Sequence, residues 1–150
     1  MKKISLFLAF VLLLTFTLIS CGEATEIDVD AAAEKIYKSV KFSEELEKLD
    51  AETAKSVLLF EADEEVEIAM YIGSGSSADQ LIVAKGANLD DVSKRLEEYV
   101  GMQREMYSWY MIDEAAKLGN AVFETGRGAV VVCVTSDTSN AGKVVKKILK

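Results

Sequence analysis

The chain has 150 residues, 17 of them basic and 25 acidic, for a net charge of −8; it contains no histidine, no proline and two cysteines. Without histidine the commonest general base and metal ligand are missing, so a hydrolytic triad, a zinc site and a haem site are not expected. The acidic balance also disfavours nucleic acid as a partner.

Lys2 and Lys3 precede an uncharged run from Ile4 to Ile19 that only Ser5, Thr15 and Thr17 interrupt. A short positive segment followed by an apolar one is the pattern of a secretory signal. Sixteen residues at about 1.5 Å each reach only ~24 Å, short of a hydrocarbon core roughly 30 Å thick, so a processed signal fits better than a permanent span. Leu18-Ile19-Ser20-Cys21 resembles the lipobox of bacterial lipoproteins, in which the cysteine takes a diacylglycerol before the signal is cut. The resemblance implies that residues 1–20 are a lipoprotein signal peptide and that Cys21 is the lipid-attachment site. Two acyl chains are what stable anchoring needs. The mature part then loses two basic residues and no acidic one, leaving 15 against 25, or −10.

Residues 21–29 read as a polar, acidic tether, and 30–150 as one domain of a size that supports a single modest core. Asp30 is expected to cap a helix with Ala33, Ile36, Tyr37 and Val40 on its apolar side. Ser43, with Glu44 and Glu45 behind it, signals a second helical start that carries Leu46 and Leu49. Asp50 signals a third, carrying Ala54, Val57 and Leu58.

From Glu65 to Ile72 apolar and other residues alternate, which predicts a strand with one face buried. Gly73-Ser74-Gly75-Ser76-Ser77 leads into Leu81-Ile82-Val83-Ala84, and the two strands are expected to form an antiparallel hairpin. The glycines lack the following Lys-Ser/Thr and the helix that a phosphate loop requires, so a hairpin connection is the reading. Asp63, Glu64, Glu65 and Glu67 could offer oxygens to a cation, but their spacing suits a solvated face better than a shaped calcium loop.

Asn88-Leu89-Asp90-Asp91 announces a long helix, with Leu89, Val92, Leu96, Tyr99, Met106 and Tyr110 in its apolar line. It is expected to run to Gly119-Asn120. Met102, Met106, Tyr107, Trp109, Tyr110 and Met111 gather its large side chains. Core packing against the sheet is the first reading of that cluster; an exposed partner surface of Tyr107, Trp109 and Tyr110 is the second.

Ala121–Thr125 and Ala129–Thr135 read as a second hairpin around Gly126-Arg127-Gly128, the last strand apolar on both faces and therefore interior. Arg127, at the loop tip, is the remaining candidate for a partner contact. Cys133 reads as a small buried hydrophobe without a disulfide partner once Cys21 is acylated. A last helix presents Val144, Val145, Ile148 and Leu149 inward. Lys143, Lys146, Lys147 and Lys150 suit its C-terminal dipole and could also meet an anionic membrane.

The expectation is an α+β domain: a four-stranded, mainly antiparallel sheet of two hairpins, covered on one face by the long and C-terminal helices, with an N-terminal helical cap. Glu65-Val66-Glu67-Ile68, Ala78 to Lys85, Leu96 to Gln103, Asn120 to Phe123 and Gly128 to Val132 carry a wider resemblance. Their succession is similar to small lipoproteins of Gram-positive bacteria that carry a domain of unknown function. An envelope protein is the expected partner, and the resemblance implies an extracytoplasmic protein on the outer face of the cell membrane, held through a diacylglycerol on Cys21. It implies no catalytic residue, metal or cofactor. A non-catalytic interaction or accessory module is the expected function, and a small-ligand or cation-binding domain is the alternative.

Overall fold

In the structure, a computed structural model described over residues 26–150, both expected hairpins form. Residues 1–20, Cys21 and 22–25 lie outside the described residues. Strand β2 (Val66–Ile72) pairs antiparallel with β3 (Gln80–Gly86), Val66 opposite Gly86 and Ile72 opposite Gln80. Strand β4 (Val122–Gly126) pairs antiparallel with β5 (Ala129–Val134). Arg127 and Gly128 both have positive φ, 47° and 76°, the backbone of a two-residue hairpin turn whose twist matches its strands. The hairpins join through β3 and β5, Gln80 facing Val134 and Ala84 facing Val130.

A fifth strand corrects the expectation of four. The second helical start at Ser43 does not become a helix; Glu47 and Lys48 form a short edge strand, β1, opposite Ile72 and Tyr71. The sheet order is β1-β2-β3-β5-β4, antiparallel throughout. Leu46 and Leu49, read as one helical face, belong to different cores: Leu46 is buried on one side of the sheet, and Leu49 packs on the other. The chain crosses the sheet edge between them, and a spacing of three arises without a helical turn.

Helices cover both faces, whereas one covered face was expected. Leu81, Val83, Val131 and Cys133 join α1 (Val29–Ser39) and α5 (Thr138–Ile148) in one core. Ile82, Ala84, Val130 and Val132 meet α2 (Ala51–Val57), α3 (Leu89–Ser108) and α4 (Ile112–Gly119) in the other. Strands apolar on both sides require cover on both sides. For the same reason β2 buries Ala69 and Tyr71 as well as Ile68 and Met70.

Capping chemistry sets the helix starts. Asp28, not Asp30, caps α1, accepting from Ala31 N at 2.8 Å, and Asp50 caps α2 through Thr53 N at 2.9 Å. Ile27 is already buried, and its N–H donates to Arg127 O at 3.2 Å, so the chain enters the fold at the β4–β5 turn. Asn88 caps α3 and Asp137 caps α5. Cys133 is fully buried, as expected. Burial, aided by the nearby Asp79 carboxylate, pushes its thiol up to about 12. We expect Cys133 to resist a maleimide in the native protein and to react on denaturation; fast native labelling would contradict this packing.

Candidate functional site

The long helix ends at Ser108, well short of Gly119. Trp109 N bonds Met106 O and Tyr110 N bonds Tyr107 O, at 3.3 and 3.2 Å, which tightens the last turn of α3 before α4 doubles back along it. Gly119 consequently lies beside the Arg104 side chain. The tip of this α3–α4 hairpin carries an apolar surface. Trp109 is 83 % exposed and Ile112 76 %, while Met102, Met106 and Tyr110 are each about half exposed. Met102, Met106 and Trp109 fall at i, i+4 and i+7, a single row beside the buried face of Leu96 and Tyr99. Core packing is thus the wrong reading for this row; it holds for Tyr107, which is buried.

At its lower end the row meets an open groove of about 550 Å³, where Met102 and Tyr99 stand across from Leu58, Leu59 and Phe60. Leu59 takes φ 59° and ends α2 in a Schellman arrangement: Phe60 N bonds Lys55 O at 2.9 Å and Leu59 N bonds Ser56 O at 3.2 Å. Glycine is the usual residue at that position, because a side chain there costs about 1–2 kcal/mol. Here a leucine occupies it and is 63 % exposed. Arg95 steadies the turn, donating to Leu59 O and to Glu64 and lying 5.0 Å over the Phe60 ring.

Beneath the tip is a buried ionic knot that the sequence did not disclose. Lys117 Nζ lies 2.8 Å from Asp79 Oδ1 and 2.9 Å from Glu114 Oε2, and all three side chains are largely or wholly buried. Asp79 also accepts from Ser43 N, and Glu114 from Ala78 N at 2.7 Å and Ser77 Oγ at 3.3 Å. Burial opposes ionisation of Asp79, but bonds from Lys117 and Ser43 outweigh it and hold the carboxyl below its ordinary value. Glu114 is lowered in the same way, burial being outweighed by Ala78 N–H and Lys117. Burial also opposes the charge on Lys117, and its two carboxylates outweigh that and raise it.

Ser77 and Ser43 hydroxyls stand 3.2 and 3.3 Å from Lys117 Nζ, close enough to suggest a serine–lysine pair. Two carboxylates favour the charged form of this lysine, which makes it a poor acceptor for a serine proton and a good tie between the elements it bridges. What it fastens is the tip. Tyr107 Oη donates to Ser77 O at 3.2 Å, Glu114 grips the same loop, and Glu44 accepts from Ser74 N at 3.0 Å on the other side. The glycine–serine loop, read as a hairpin connection, is clamped from two directions.

The remaining candidates separate. Arg127 sits at the β4–β5 turn, at the end of the sheet opposite the tip, its Nη1 donating to Ile148 O at 3.3 Å. It is not part of one surface with Tyr107, Trp109 and Tyr110. Glu64 pairs with Arg95 and Glu67 with Lys85. Among the described residues there is no group of three or more His, Cys, Asp or Glu that could hold a metal ion, and no helix long and apolar enough to cross a membrane. Comparison with protein-family models, with curated proteins and with solved structures finds no match.

Proposed function

We propose that this chain is a lipid-anchored, extracytoplasmic module of the bacterial cell envelope that acts without catalysis, by docking a protein on the tip of its α3–α4 hairpin. The exposed Met102–Met106–Trp109 row carries the interaction half of the reading. Single exposed apolar side chains are ordinary, but a row of methionines ending in tryptophan, continued by Tyr110 and Ile112, is the composition of adaptable interfaces. The clamp beneath it supports the same reading, since a rigidly displayed surface loses less entropy on binding. Leu59 adds a second sign, an exposed leucine kept where glycine would relieve the backbone. Leu18-Ile19-Ser20-Cys21 carries the location half.

Both halves are testable in cells. Metabolic labelling with palmitate is expected to mark the protein and to be lost in Cys21→Ala; label retained by that variant would refute the anchor. A photo-cross-linking residue at position 106 should give a defined protein adduct that the same residue at position 147 does not give. Trp109→Ala should abolish that adduct. Equal adducts at both positions, or none at 106, would refute the docking surface.

A further inference from the structure

The entry point of the chain and the apolar tip lie at opposite poles of the domain. Glu26 pairs with Lys85 at 2.8 Å near the end of β3, and Ile27 N bonds Arg127 O at the β4–β5 turn. The C-terminus ends at the same pole: Leu149 packs on Gly126, and Arg127 holds Ile148 O. The tip lies at the other end of β3, where Tyr107 bonds the loop that precedes Gln80. Helix α3 spans most of the separation, and its 20 residues at about 1.5 Å each give ~30 Å.

We infer that the tip is held away from the anchoring bilayer and that its occupant is a protein with an apolar pocket rimmed by cationic side chains, not lipid. The inference rests on the reading of Cys21 as the anchor. Five peptide steps separate Cys21 from Glu26 and reach at most ~18 Å, so the pole at Arg127 must stay near the membrane. The tether, not charge, holds that pole down, since exposed Glu26, Asp63 and Glu65 stand there as well as Lys147 and Lys150. The tip has an acidic rim with Arg104 as its exposed cation: exposed Glu98 and Glu105 stand one helical turn before Met102 and Trp109, and exposed Asp113 follows Ile112. Bringing that rim onto an anionic bilayer sets like charges together, whereas a basic rim on a protein pocket complements it.

Trp109 is the single tryptophan and reports its own position. The mature acylated protein would be floated with phosphatidylglycerol–phosphatidylcholine vesicles, with and without bromine on the acyl chains. The expected result is co-flotation, Trp109 emission unchanged by brominated lipid, and strong quenching by aqueous acrylamide. In a Trp109→Phe, Lys150→Trp variant, the indole at the tether pole should lose markedly more emission to brominated lipid than Trp109 does. Equal or greater quenching of Trp109 would place the tip in the membrane and overturn the inference. Self-association that Trp109→Ala abolishes would make a second copy the occupant and overturn it too. Failure to float would refute the anchor, and the orientation with it, while leaving the apolar tip itself untouched.

Discussion

Lys117→Met should destabilise the fold by about 3–5 kcal/mol, measured by urea unfolding near neutral pH, because it leaves buried carboxylates without their cation. Asp79 has no exposed side-chain surface and Glu114 little, so neither regains water in exchange for the lost ammonium. Against a total stability on the order of 5–15 kcal/mol, the variant sits near the edge of folding. Adding Asp79→Asn and Glu114→Gln to Lys117→Met removes the stranded charges and should restore most of the loss. The pH dependence has a definite sign. Asp79 and Glu114 have folded pKa values below their ordinary ones, so their stabilisation is present above about pH 4 and is lost as pH falls through the depressed values. Lys117 is raised, so its stabilisation is complete below about pH 10 and is lost as pH rises through the raised value. Wild type should therefore hold a plateau between these limits. In Lys117→Met, burial dominates at Asp79 and the acid limb should move to higher pH. A loss under about 1 kcal/mol with an unmoved acid limb would show that the knot is not a structural fastening.

What the sequence discloses and what it hides follow the range of each signal. The hairpins 66–86 and 122–134 are legible because alternation, turn residues and apolar runs are local. The caps at Asp50 and Asn88 are legible for the same reason. Cover on both faces was also within reach, since Leu81-Ile82-Val83-Ala84 and Val130 to Val134 leave no polar side to wet. The segment 41–50 was not, because Leu46 and Leu49 are separated by the sheet edge and only the assembled sheet reveals it. The knot is the clearest case: Glu114 and Lys117 look like an ordinary i, i+3 pair on a surface helix. Asp79 stands 38 positions from Lys117, with nothing local to join them. The exposed row misleads in the other direction, since methionine and tryptophan on a helix after Leu96 and Tyr99 look like more of the same core.

Leu96→Ala and Trp109→Ala separate these two uses of α3. Leu96 is fully buried against the sheet, so its truncation removes packed atoms and leaves a cavity; the loss should be about 2–5 kcal/mol by thermal or chemical unfolding. Trp109 is larger, yet it is mostly in water, and its truncation should change stability by no more than about 0.5 kcal/mol. Binding should respond in the reverse order. If the tip is the docking surface, Trp109→Ala costs on the order of 2 kcal/mol or more of affinity, roughly thirtyfold in Kd. Leu96→Ala, measured well below its melting temperature, should leave affinity within a few-fold of wild type, because the Asp79–Lys117–Glu114 knot and the Tyr107 bond hold the tip independently of the lower half of the helix. Parallel losses of stability and binding in both variants would instead mean that α3 is one packed element along its whole length. Trp109→Ala destabilising as much as Leu96→Ala would return the tryptophan to the core and remove the docking surface altogether.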